Sequence, residues 1–147
     1  MSMQFVVGFL GGLVWANWIE YFWHRWGMHW PSICPSAAIR HSSHHRNPND
    51  PEFISTGVLV GSILFLVNTA LWAIPLSLTH HLHVLLGLMV SFILYLAGEE
   101  HFHYRVHMGG WVPMWWREHH LKHHSRPRSD FNIFFPFWDY LLRTKSS

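Results

Sequence analysis

Two short stretches share one spacing. His41-Ser42-Ser43-His44-His45 and His120-Leu121-Lys122-His123-His124 each carry histidines at i, i+3 and i+4. On a helix these positions share one face, within about 100° of arc. Two wider pairs accompany them, His24 with His29 and His103 with His107. In chain order the four boxes read HxxxxH, HxxHH, HxxxH and HxxHH, and they hold ten of the fifteen histidines. A lone histidine is commonly a surface or satisfied core residue, and a single i, i+4 pair arises by chance. Two copies of HxxHH with two spaced pairs do not. The pattern predicts a metal site whose ligands come from four separate segments.

Composition identifies the solvent in which that site is built. Half of the residues are hydrophobic, 12% are charged and ten are tryptophan. This is the profile of a membrane protein, with tryptophans for the interfacial belts. The net charge of +2 and the lack of a basic run speak against a nucleic-acid partner. One cysteine, Cys34, excludes an intrachain disulfide. A length of 147 residues suggests a single domain, 1–147.

Three apolar runs are candidates for spans. Residues 3–22 are apolar apart from Gln4, Asn17 and Glu20, and are long enough to cross the hydrocarbon core. With no basic n-region or small-residue cleavage site, the run reads as a retained span rather than a signal peptide. Gly8, Gly11 and Gly12 would let another helix approach closely. Residues 57–78 form a second, uncharged run, expected to kink at Pro75. Residues 82–98 form a third, reaching only about 25 Å as a helix. The last two make a hairpin that either spans or stops just short. Its tip carries His80, His81 and His83, which read as polar loop residues.

All ten lysines and arginines lie on the box side of these runs. By the positive-inside rule the boxes face the cytoplasm. The expected fold is therefore an all-α integral membrane protein with about three transmembrane helices, two forming a hairpin. A cytoplasmic helical cap carries a dimetal histidine cluster.

Local signals refine the cap. His24 and His29 are five residues apart, about 140° around an ideal helix, so both reach one ion only near a helix end or bend. Trp30-Pro31 supplies such an end. Residues 37–45 read as a helix stopped by Asn47-Pro48-Asn49-Asp50-Pro51. Gly109-Gly110 breaks the chain after His107, and Trp111, Trp115 and Trp116 suggest an interfacial anchor. The apolar stretch 131–142, broken by Pro136, is too irregular to span. It either lies along the interface or covers the histidines.

Neutral imidazole suits zinc, copper, iron and nickel. Ten ligands exceed what one ion takes, whereas two ions with about five each would use them all. Zinc has no redox chemistry, while iron can activate dioxygen at a site where the membrane presents C–H bonds. No HExxH is present, which speaks against a metalloprotease, and no CxxCH, which excludes covalently attached haem. A membrane protein with axial-histidine haem and a zinc-binding relative without oxygen chemistry stay open as alternatives.

The ordered boxes resemble the membrane fatty acid hydroxylase superfamily, which includes sterol desaturases, and most of all its fatty acid 2-hydroxylases. Glu20-Tyr21-Phe22-Trp23-His24-Arg25 with His29 is similar to their EYxxHRxxxH. His41 to His45, followed by Arg46-Asn47-Pro48-Asn49-Asp50-Pro51, is similar to HxxHHxxPxDP. His103-Tyr104-Arg105-Val106-His107 resembles HYxxH, His120 to His124 resembles HLKHH, and Trp138-Asp139-Tyr140-Leu141 with Thr144 resembles WDxxFGT. The match covers about 17–51 and 98–144. Leu142-Arg143, Phe134-Phe135 and Met108 depart from the pattern.

The resemblance implies two metal ions held by His24, His29, His41, His44, His45, His103, His107, His120, His123 and His124. It implies iron in the active enzyme, with zinc possible in isolated protein. The implied reaction is O2-dependent hydroxylation at carbon 2 of a long acyl chain in the membrane. Two electrons would come from a separate donor of cytochrome b5 or ferredoxin type, since the 147 residues hold no such domain. Carotenoid hydroxylases share the box order and are the alternative substrate class.

Overall fold

A computed structural model describes residues 2–50 and 52–146, the side chains of 52–58 excepted. The described residues are helical, with no strand among them. Helix α1 runs Met3–Phe22 and passes directly into a π-helical segment, Trp23–Met28. Then follow α2 (Pro35–Arg46), α3 (Glu52–Leu78), α4 (Leu82–Met108), α5 (Met114–Ser125) and a short α6 (Phe137–Leu141). Three stretches are long and apolar enough to cross a bilayer: Met3–Met28, Leu59–Leu78 and Leu82–Met108. The chain is an all-α membrane protein.

The third span is longer than its apolar run suggested. α4 continues through Gly98, Glu99 and Glu100 to Met108, 27 residues in all. Apolar character ends at Gly98 but helix propensity does not, because glutamate is a good helix former. The helix stops where Gly109 takes φ 88°, a left-handed conformation that glycine tolerates. Thus α4 is long enough to span with its HxxxH box projecting beyond the hydrocarbon. α3 runs through Pro75 to Leu78. His80, His81 and His83 are exposed at the hairpin tip, about 30 Å along α4 from His103.

The main helix contact is α1 against α4, and small residues make it close. A Cβ on Gly8 would strike the backbone of Val84, and one on Gly87 the backbone of Phe5 and Phe9. On Gly12 it would lie 2.9 Å from Leu88 Cα and collide with the Ser91 hydroxyl. This is small-residue packing, favoured where lipid removes the hydrophobic drive between helices. Gly11 departs from the expectation, with nothing within 4 Å of its Cβ position. It is one residue out of register, about 100° from the contact.

Below this crossing Ala16, Phe92 and Tyr95 form the buried core, with Phe65, Leu96 and Phe134 packed against it. α3 is tied to α1 where Trp15 Nε1 donates to Asn68 Oδ1 (2.7 Å). The rest of α3 shows Ile63, Leu66, Leu71 and Ile74 more than half exposed, as a lipid-facing surface should. Gly12→Leu should destabilise the fold by about 1–3 kcal/mol, measured by thermal unfolding in detergent, whereas Gly11→Leu should leave it unchanged. Equal effects at both positions would refute this helix contact.

Candidate metal centre

The first box owes its geometry to a widened helix. His24 lies within the π segment and His29 caps it. A π turn closes its hydrogen bonds between i and i+5, so residues that diverge by about 140° on an α-helix come into line. The helix end expected at Trp30-Pro31 is present, with His29 as its cap, and the change of helix type lies just upstream of it. Gly27 is required inside it: a Cβ there would lie 2.5 Å from the Trp23 ring. The second box sits on α2, which begins at Pro35, a residue suited to the first helical turn. That helix ends at Arg46 with Asn47 as its cap, and Pro51 of the expected stop lies outside the described residues.

The structure brings all ten box histidines together, in two sets of five. One set is His24, His29, His41, His45 and His123; the other is His44, His103, His107, His120 and His124. Within each, one ring nitrogen per residue lies within 4.8 Å of all the others. Each HxxHH box serves both sets. His41 and His45 join the first set and His44 the second, while His120 and His124 join the second and His123 the first. The two wide pairs do not divide, so each set receives residues from three boxes. The sets adjoin where His45 and His124 stack, 4.4 Å between ring centroids.

The nitrogen spacing fits a metal ion. In the first set Nε2 atoms are separated by 2.9 Å (His24–His41), 3.0 Å (His29–His41 and His41–His45) and 3.1 Å (His29–His123 and His45–His123). In the second they are 3.2 Å (His44–His103), 2.8 Å (His107–His120) and 3.1 Å (His120–His124) apart. With metal–nitrogen bonds of about 2.1 Å, ligands at right angles lie about 3.0 Å apart, and tetrahedral ones about 3.4 Å. The sets match the former. Such crowding also leaves no room for a porphyrin between facing rings, which argues against the haem alternative.

The far side of the rings is fixed by a backbone strap, residues 129–135. His123 Nδ1 donates to the Ser129 carbonyl (2.7 Å) and His24 Nδ1 to that of Phe131. A carbonyl can only accept, so both rings carry their proton on Nδ1 and turn an Nε2 lone pair inward. The strap's own amides are held by two buried carboxylates. Asp139 accepts from Phe131 N (2.8 Å) and Asn132 N (2.7 Å). Glu20 accepts from Ile133 N and from Phe134 N (3.0 Å), and also from Tyr95, Asn17 and Asn132. Buried His119 braces the same unit, 2.8 Å from the Asn132 carbonyl and 3.2 Å from Asp130 Oδ1. Phe131 lays its ring against His24, His29 and His123. Of the two readings for 131–142, residues 131–133 cover the cluster, while Phe137, Tyr140 and Leu141 are exposed.

Electrostatics favours the ligand form. Burial, with repulsion from neighbouring imidazoles, pushes His29 down to about 4 and His124 to about 3. The same causes hold His41, His44 and His120 well below the ordinary histidine range. Burial also lowers His45 and His123. At neutral pH these rings are uncharged and ready to coordinate.

Some residues fall elsewhere than the sequence suggested. Trp111 and Trp115 are exposed, as anchors would be, but Trp116 is buried. It stacks on Phe102 (4.4 Å between centroids) and donates from Nε1 to the Ile133 carbonyl (2.8 Å). It is a support of the strap rather than an anchor, because α5 turns that face inward with His119, His120 and His123. The strap's carboxylates went unread as parts of the site. Their signals were present: Glu20 is the one charge in the first apolar run, and Asp139 is the acid of the closing WDYL motif.

The family model described as fatty acid hydroxylase matches residues 9–144. The chain belongs to the fatty acid hydroxylase family. No curated protein and no solved structure matches it at a significant level. Membership places the chain among membrane enzymes of lipid hydroxylation, a metal-dependent family, and within the wider superfamily that the boxes resembled.

Asp139→Ala would strand two strap amides and loosen the carbonyl that orients His24. We expect metal affinity to fall tenfold or more, read as metal per chain after mild chelation. Unchanged retention would show that the strap does not set the ligands.

Proposed function

We propose that this chain is an O2-dependent dimetal hydroxylase of long-chain membrane lipids, with iron as the working metal and carbon 2 of a fatty acyl chain as the favoured position. The observation that carries this is the convergence of ten imidazoles into two sets of five, at the box ends of membrane-spanning helices. His24, His29, His41, His45 and His123 would hold one ion, and His44, His103, His107, His120 and His124 the other. Iron in such a site supplies redox chemistry and dioxygen activation, which zinc, a plausible occupant of isolated protein, does not. Tetrahedral zinc, the usual structural choice, takes four ligands rather than five.

The residues around the ions do the rest. The depressed imidazoles stay neutral and keep their lone pairs available. The Glu20 and Asp139 carboxylates hold the strap, and the strap's carbonyls hold the ring tautomers. Phe131 covers one face of the first set. Carbon 2 is supported by the HLKHH and WDYL segments. Phe134, one of the departures from the 2-hydroxylase pattern, packs inward, its ring 5.1 Å from Tyr95 and 4.6 Å from Trp116 between centroids. It acts on the scaffold.

Orientation follows from charge. With all ten basic residues at the box end, the centre would lie on the cytoplasmic side, within reach of a separate electron donor of cytochrome b5 or ferredoxin type. In a Cys34→Ala background, Ser2→Cys and His80→Cys should react with an impermeant thiol reagent from outside, and Arg126→Cys only from the cytoplasm. Reaction of position 80 from the cytoplasm alone would contradict this topology.

The chemistry has its own test. Iron-loaded protein, given reductant and 18O2, should add one labelled oxygen atom to a long acyl chain, detected by mass spectrometry of membrane lipids. Label arriving from water instead would rule out the oxygenase. Ring-hydroxylated carotenoid with unchanged acyl lipids would keep the mechanism and move the substrate to the carotenoid class.

A further inference from the structure

The two outward sides of the centre differ in chemistry. Beside His29 is a cavity of about 530 Å³ walled by Arg25, Arg128, Trp30, Pro31, Pro127 and Phe131. Its two guanidinium groups put positive charge in the wall, which a hydrocarbon chain would desolvate at a cost. On the other side a small recess of about 10 Å³ lies beside His44, His103 and His107, with Glu100 in its rim. Glu100 also lies at one end of a separate groove of about 540 Å³ between α3 and α4. The walls of that groove are Gly61, Phe65, Leu66, Ile93, Leu96 and Ala97, and apart from Ser62 and Glu100 they are wholly apolar. Its volume is that of an ordinary ligand site. Both walls belong to membrane spans, so what fills the groove in a bilayer is hydrocarbon.

We propose that the chain to be oxidised lies in the α3–α4 groove and reaches the centre past Glu100, on the side of His44, His103 and His107. This rests on the hydroxylase reading above and adds the reactive side and the residues that select the substrate. The groove supplies hydrophobic contact along the chain, roughly 25 cal/mol per Å² of apolar surface removed from water. It also supplies direction, because its one ionisable wall residue also lines the recess at the histidines.

Gly61 gives direct access to the idea. A Cβ there would meet only the Leu96 side chain, at 3.7 and 4.0 Å. A larger side chain can therefore grow into the groove without moving backbone. The experiment uses the full chain in membranes, metal-loaded, with a long fatty acid carrying a diazirine in its tail. In the wild type, photolabel should map to peptides containing residues 61–66 or 93–97. Gly61→Trp should lose that labelling and lower turnover tenfold or more while keeping the metal content of the wild type. Gly61→Leu, a smaller filler, should show a milder loss that grows with chain length.

Labelling confined to 127–131, or undiminished turnover in metal-replete Gly61→Trp, would overturn the proposal. Groove labelling blocked by Gly61→Trp, with no oxygen insertion by any form, would leave the binding groove standing and remove the hydroxylase reading instead. If Gly61→Trp loses metal, Gly61→Leu decides: turnover equal to wild type at every chain length would also overturn the proposal.

Discussion

Ten imidazoles directing nitrogens at two points is the arrangement on which the rest depends. Nitrogens 2.8–3.2 Å apart cannot all be paired donor to acceptor. His24 and His123 have given their only proton to strap carbonyls on the other side. Lone pairs facing lone pairs repel, and protonating the rings would replace that repulsion with a stronger one between charges. A bound cation resolves the conflict, since it accepts every lone pair at once. The scaffold must therefore hold the rings in place against their own electrostatics. It does so with helices that differ in kind: a π turn for the five-residue spacing, and α-helices for the three- and four-residue spacings.

The strap shows how that holding is done. Its amides from Phe131 to Phe134 end on two carboxylates, and the carbonyls of Ser129 and Phe131 end on imidazoles. Burying a carboxylate costs several kcal/mol unless its oxygens are well supplied with donors. Glu20 receives five, from two amides, Tyr95, Asn17 and Asn132. Glu20 belongs to α1 just ahead of the π turn, so the helix that presents His24 also anchors the strap that orients it. Donors and acceptors arranged in this way behind the rings keep the ligands in place with no help from the metal.

What could be read from the sequence follows from which interactions are local. The HxxHH triplets are legible because three- and four-residue spacing on a helix fixes a face without any knowledge of the fold. The spans are legible because bilayer thickness sets their length. Hydropathy marks α4 only as far as Gly98, while the helix continues on the propensity of Glu99 and Glu100 to the expected break at Gly109-Gly110. The π turn was sensed only as a misfit between His24 and His29, since no residue pattern distinguishes it from a bend. The strap was least visible: its bonds join Glu20 to Ile133 and Phe134, more than a hundred residues apart. Trp116 was misread for a related reason, because an interfacial tryptophan and a packing tryptophan look alike until a neighbour such as Phe102 is known.

The membrane helices then set the distance between the two histidine sets. α1 and its π extension deliver His24 and His29 to one, and α4 delivers His103 and His107 to the other. Their crossing at Gly8, Gly12 and Gly87 is so close that backbone meets backbone. Sliding one helix by a residue would shift its box by about 1.5 Å along the axis and turn it by about 100°. Either change would take a pair of imidazoles out of reach of its ion. The glycines, deep among lipid tails and about three turns or more from any box histidine, thus belong to the metal centre as much as the ligands do. They fix the register from which both sets are built.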